Sequence, residues 1–270
     1  MGRTAQARDR EVTAGAAELA TYLYCVVGRT RAPRTTGAPE GLPHARTPRA
    51  VQAAPAIWLI VADVPLSSYG PDRLEQTLKN LDRVATLAVA HEAMVEHFAR
   101  LSGVTVLPMK MFTMFSTVDR AIAEMRARQK DLQAALKRVA GCEEWGVRVT
   151  ARPRQLPRAP SSRPQSGTAF LTARKQARDS VRISAHTARE AAAAAFTELS
   201  RLARESRQRD ETPAGATPPL LDAAFLIEVR ERAKFRSAAK RLASACSAAG
   251  TEMTFTGPWP AYNFVQPPGD

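Results

Sequence analysis

Three cysteines in 270 residues, Cys25, Cys142 and Cys246, are too few, too dispersed and odd in number for a disulfide framework. With no Cys-x-x-Cys pair and no spaced Cys/His set, they predict free thiols in a reducing compartment. Long apolar runs are missing too: no segment approaches the roughly eighteen consecutive apolar residues of a membrane span. Asp9, Arg10 and Glu11 stand where a secretory leader would carry its apolar centre, and Gln6 takes the Ser/Thr position of a myristoylation signal. These absences predict a soluble, cytoplasmic chain.

Lysine is also scarce, supplying seven of the 39 basic residues. Arginine therefore carries most of a net charge of +13. Much of it lies in Arg/Ala/Pro stretches such as 29–49 and 152–163, so the excess reads as solvated compositional bias before it reads as a polyanion site. Catalytic signatures are absent as well: there is no Gly-x-Ser-x-Gly elbow, no phosphate-cradling glycine loop and no dinucleotide fingerprint. His91 and His97 invite a zinc reading, but a six-residue separation places them about 120° apart around a helix, where they cannot share an ion. No enzyme, metal site, cofactor or small-molecule ligand is expected.

What the sequence does contain is regular patterning. Residues 19–27 and 57–61 are apolar, β-favouring runs and predict buried strands, while 28–55 between them is rich in Arg, Pro, Gly and Thr and predicts a disordered insertion. From Pro71 the period becomes helical: Leu74, Leu78, Leu81, Val84, Ala88, His91, Val95 and Phe98 form one stripe. A strand is expected at 104–107, with 109–115 as a possible continuation after Pro108. A second helix spans 118–139, and a fourth strand 145–149. This order suggests an α+β, ferredoxin-like domain over 19–150, after a disordered tail at 1–18.

A Pro/Arg/Ser linker at 151–166 then predicts a domain boundary. The second domain, 167–270, is also read as α+β. It has a long Ala-rich helix from Thr168 to about Ser206, a flexible loop at 207–219 and a β-α-β unit around Phe225, Phe235 and Met253. A stiff aromatic tail, Gly257 to Val265, closes it. Pro258 and Pro260 exclude helix and central strand there and predict an extended arm. Trp259, Tyr262 and Phe264 need a surface to pack on, their own domain or a partner.

This tail resembles the closing Gly-Pro-Trp-Pro-Pro-Tyr-Asn-Phe of the gas vesicle protein L/F family, broken here at Ala261. Four further segments resemble the same family in the same order: 22–27 (Tyr-Leu-Tyr-Cys-Val-Val), 90–95 (Ala-His-Glu-Ala-Met-Val), 106–109 (Val-Leu-Pro-Met) and 221–227 (Leu-Asp-Ala-Ala-Phe-Leu-Ile). The likeness spans roughly 20–265. Where the family usually carries Arg-Phe-Gly, this chain has Lys110, Met111 and Phe112: the cation is kept, and the glycine that would allow a bulge or close backbone approach is replaced.

The resemblance implies a non-enzymatic accessory protein of gas vesicle assembly. It would bind the small apolar shell subunit or other vesicle accessory proteins, with the long helix bridging domains or partners. Candidate partner-binding residues are Trp259, Tyr262, Asn263 and Phe264, then Lys110 and His91, with Met111 and Phe112 in a methionine-rich cluster that serves either the sheet face or an apolar partner. The alternative is an RNA- or polyanion-binding α+β protein, against which stands the lack of an RNP-type aromatic pattern.

Overall fold

Both faces of a continuous apolar run must leave water, and each such run here becomes an interior strand. The computed structural model describes residues 18–152, 167–209 and 217–266. In chain order the elements are β1 (Leu19–Gly28), β2 (Arg49–Ala54), β3 (Ile57–Pro65), α1 (Leu66–Tyr69), α2 (Pro71–Leu78), α3 (Leu81–Ala99), β4 (Thr105–Pro108), β5 (Met114–Phe115), α4 (Val118–Ala127), α5 (Gln129–Val139), β6 (Cys142–Ala151), α6 (Gly167–Ser200), β7 (Glu205–Gln208), β8 (Leu221–Glu228), α7 (Arg232–Ala248) and β9 (Thr251–Trp259). A 3-10 turn, Tyr262–Phe264, follows.

The chain divides into two compact units, 1–138 and 139–270. In the first, the strand order is β2-β3-β1-β4, with β5 added beside β1. In the second it is β7-β8-β6-β9. Counted within its own unit, each order is second, third, first, fourth, and every pairing is antiparallel. That is the ferredoxin-like arrangement, so the chain carries it twice. The second unit has both crossover helices, α6 and α7. The first replaces its first crossover helix with an irregular segment, 29–48.

Several expectations are corrected. Segment 28–55 holds β2, and Leu42 within it is buried, its N–H donating to Tyr24 Oη at 2.9 Å. Tyr69 Oη donates to Pro43 O at 2.7 Å, a second tie to the same segment. A polar, proline-rich composition was outweighed by backbone groups that buried tyrosines could pair. The strand expected at 145–149 is the start of the second unit, not the end of the first; β6 lies between β8 and β9. The division thus falls at 138/139 rather than in 151–166. Hydrophobic alternation gives a strand its faces but does not say which sheet it joins.

The helix expected over 71–98 is two: Asn80 caps α3 by accepting from the Arg83 N–H at 3.1 Å, and Leu78 and Leu81 on either side of the break are exposed. The helix over 118–139 likewise breaks at Arg128. Helix α6 ends at Ser200, and the polar edge strand β7 occupies 205–208, partly inside the segment expected to be a flexible loop. The tail continues β9 to Trp259 and then bends through the 3-10 turn instead of staying extended. Residues 1–17, 153–166 and 210–216 lie outside the described residues.

The second unit's core shows why its elements form. Trp145, Val147 and Val149 of β6 alternate toward Phe225 and Ile227 of β8. They meet Ala192, Ala195 and Leu199 of α6 and Phe235, Ala239, Leu242 and Cys246 of α7. The intervening residues take the opposite sheet face: Glu144, Gly146 and Arg148 on β6, Asp222, Ala224 and Leu226 on β8. Ala224 and Leu226 are nonetheless fully buried. No helix among the described residues is long and apolar enough to cross a membrane.

Candidate functional site

The predicted residues fall into two groups, one in each unit. In the first unit, the apolar stripe of α3 buries Met94, Val95 and Phe98 together with His91. His91 Nδ1 lies 2.8 Å from Tyr22 Oη, and Nε2 lies 3.1 Å from the Met109 carbonyl oxygen. A carbonyl only accepts, so Nε2 carries the proton and Nδ1 accepts from the tyrosine. Tyr22 Oη in turn accepts from the Phe112 N–H at 3.2 Å. One directional chain therefore runs from the Phe112 amide through Tyr22 and a neutral His91 to the Met109 carbonyl.

That chain brackets a turn. Thr113 N–H and Oγ1 both donate to the Lys110 carbonyl, at 3.2 and 2.7 Å, and Phe112 sits at φ +66°. Phe112 thus holds the left-handed conformation for which glycine is the ordinary choice, at a cost of about 1–2 kcal/mol. Such strain persists when neighbours over-determine it, and His91 and Tyr22 grip the turn from both ends. Burial pushes the His91 pKa down, partly countered by the Met109 carbonyl, and pushes the Tyr22 hydroxyl up. Tyr24 stacks on His91 with centroids 5.8 Å apart, closing the network from the other side. Lys110 projects to solvent from the turn, and Met111 and Phe112 are half-buried beside it.

In the second unit, β9 is an edge strand, where proline's missing donor is tolerated. Its register with β6 shifts between Glu144 and Gly146, and Gly257 lies opposite this bulge at φ +129°. A Cβ on Gly257 would stand 2.8 Å from the Glu144 carbonyl oxygen and 3.1 Å from the Trp145 ring. Only glycine fits there. Gly257→Ala is expected to destabilise the second unit by about 2–3 kcal/mol, read as a lower midpoint in urea unfolding. An unchanged midpoint would show that the tail yields without cost.

Beyond the bulge, the tail is fastened by Glu144. Its carboxylate accepts the Asn263 N–H at 2.8 Å on one oxygen and the Asn263 side-chain amide at 2.5 Å on the other. The Arg207 guanidinium lies 5.2 Å from the centre of the Phe264 ring and donates to the Gln266 carbonyl at 2.8 Å. Phe264 is fully buried and Tyr262 and Asn263 partly so, whereas Trp259 stays 43% exposed. The tail is a braced arm that presents its tryptophan outward.

His91 and Phe264 are therefore buried against their neighbours, not displayed on the surface. Sequence reading missed Tyr22, Glu144 and Arg207. Neither Glu144 nor Arg207 carried a local signal: β6 holds Glu143 and Arg148 as well as Glu144, and the tail groups that Arg207 meets, Phe264 and the Gln266 carbonyl, lie far away in sequence. Among the described residues, no three His, Cys, Asp or Glu side chains converge as metal ligands. An open pocket of about 320 Å³, lined by Gly28, Pro55, Ile57 and Leu136 among others, includes none of the predicted residues.

Gas vesicle protein L of Streptomyces sp. (strain CB03234) is 31% identical over 219 residues, covering 76% of this chain and 79% of that protein. Gas vesicle protein L2 of Halobacterium salinarum is 27% identical over 266 residues, 90% of each. In fold, the chain is similar to the crystal structure of gas vesicle protein GvpF from Anabaena sp. PCC7120, with a TM-score of 0.64 at 15% identity, covering 92% of this chain and 98% of that one. The GvpF structure from Microcystis aeruginosa gives 0.61 at 13%, covering 92% and 99%. The family model described as "Gas vesicle synthesis protein GvpL/GvpF" matches residues 20–266, the span of both units and of the braced tail. The chain belongs to that family, and its role lies in gas vesicle formation.

Proposed function

We propose that this protein is a non-enzymatic assembly factor that holds the small apolar shell subunit, or another vesicle protein, in the cytoplasm while the vesicle nucleates or grows. The observation that carries the reading is Trp259, a large aromatic surface 43% exposed on an arm held down by the buried Phe264 and the partly buried Tyr262 and Asn263. Exposed, rigidly held tryptophans are what interfaces use as energetic anchors, since little side-chain entropy is lost on docking. Shell subunits must expose apolar surface before they polymerise, and a soluble partner with aromatic and methionine patches can shield it. Lys110 and Met111, displayed by the turn that His91 and Tyr22 hold, provide a second such surface on the other unit. Asn263, Phe264 and His91 are assigned positioning roles.

The test is pressure-collapsible light scattering from cells carrying the vesicle gene set with the wild-type or variant gene. Trp259→Ala is expected to abolish or strongly reduce the pressure-sensitive signal while the purified protein unfolds within about 0.5 kcal/mol of wild type. A normal signal would remove Trp259 from the function. Salt separates the polyanion alternative: contacts to phosphate lose orders of magnitude between about 50 and 200 mM salt, whereas an apolar contact persists.

A further inference from the structure

Helix α6 is 34 residues, about 51 Å, and only its C-terminal part is used by the second unit's core. Ala188, Ala192, Ala195 and Leu199 are buried, while residues 170–184 are exposed throughout. The same line along the helix nevertheless continues through the exposed part. Phe170, Arg174, Ala177, Val181, Ser184 and Ala188 recur at alternating spacings of four and three, the repeat of a two-helix seam. Phe170 and Val181 are 51% and 53% exposed on that line, and Leu171 widens it at 64%.

The charge around this seam is one-sided. Between 168 and 189 there are five cations, Arg174, Lys175, Arg178, Arg182 and Arg189, against one carboxylate, Asp179. Among the described residues none of the five forms an ion pair; the pair within α6 is His186 with Glu190. A second copy of the same helix would set like charges against each other. An anionic membrane surface suits a broad apolar face, not a narrow seam interrupted by Arg174 and Ser184. What fits is a helix with a matching apolar seam and carboxylates beside it.

We infer that the exposed part of α6, from Phe170 to Ser184, is a docking face for an acidic amphipathic helix of a partner protein, with Phe170, Leu171 and Val181 in the seam and Arg174, Arg178 and Arg182 pairing its carboxylates. This is a different surface from the tail, and it stands whether or not Trp259 contacts the shell subunit.

The experiment uses the full chain and a fluorescein-labelled synthetic peptide of three heptads, with Leu in the seam and Glu beside it, followed by anisotropy. Its counterpart carries Lys in place of each Glu. The Glu peptide is expected to bind at least about tenfold tighter than the Lys peptide. Phe170→Glu with Val181→Glu should weaken binding by at least about tenfold at an unchanged melting temperature, because both side chains are solvent-exposed. Arg174→Glu with Arg178→Glu should reverse the peptide preference, an effect that simple destabilisation cannot produce. Equal binding of the two peptides overturns the proposal. So does displacement of the Glu peptide by phosphatidylglycerol vesicles with a greater affinity for the chain, which would assign the face to lipid. Concentration-dependent dimerisation abolished by the Phe170/Val181 change would assign it to a second copy and likewise overturn it.

Discussion

Replacing Phe264 with Ala is expected to lower the unfolding free energy of the second unit by about 3–5 kcal/mol, the usual range for truncating a fully buried phenylalanine. The ring has no exposed surface and lies against the Arg207 guanidinium, so its removal leaves a cavity lined in part by a cation that loses its aromatic partner. The loss should spread along the tail: Asn263, one residue away, satisfies both oxygens of the Glu144 carboxylate, which is itself 4% exposed. Releasing the tail would strip two donors, the Asn263 backbone and side-chain N–H groups, from a carboxylate in a buried position. Urea unfolding followed by fluorescence reads the effect, with Trp259→Ala as the comparison. A cost below about 1 kcal/mol for Phe264→Ala would mean that the tail does not brace the sheet. In cells, the variant should lose vesicles through loss of protein, in contrast to Trp259→Ala, which should lose them with the protein intact.

The second large effect belongs to His91. His91→Ala strands the Tyr22 hydroxyl donor and the Met109 carbonyl, each at roughly 1–3 kcal/mol when left buried without a partner. It also releases one of the two grips on the Phe112 turn, so a total of about 3 kcal/mol or more is expected. His91→Ala should also alter the pH profile. Burial holds the folded-state pKa of His91 below the ordinary value near 6.5, so as pH falls the unfolded chain takes up the proton first. The contribution is therefore complete above about pH 6.5 and is lost as pH falls through the folded-state value. Wild type should lose melting temperature on acidification from neutral pH, and His91→Ala should lack that component of the slope. Parallel wild-type and variant profiles would show that His91 is not the titrating group.

The Lys110–Phe112 turn shows how such positions escape a sequence reading. The replaced family glycine marked the position, but that phenylalanine keeps the left-handed conformation was not legible, because its strain is compensated by groups on β1 and α3 that local pattern cannot bring together. The Glu144 and Asn263 pair is similar: they are 119 residues apart, and neither is unusual for its own segment. Trp259 and Phe264 read alike as aromatic anchors, yet one is exposed and the other buried. The difference arises because the chain bends at Tyr262–Phe264 instead of continuing straight.

The amino-acid sequence by itself determined the α+β class, most of the strands and helices, and the order of segments shared with the family. Alternation, helical period, proline and glycine act within a few residues and leave their mark locally. Tertiary structure decided which sheet each strand joins, where long helices break and which tail residue faces inward. It also showed that β6 opens a second ferredoxin-like unit instead of completing the first. Those choices depend on backbone partners and buried polar groups supplied from distant parts of the chain, and a local pattern has no means of recording them.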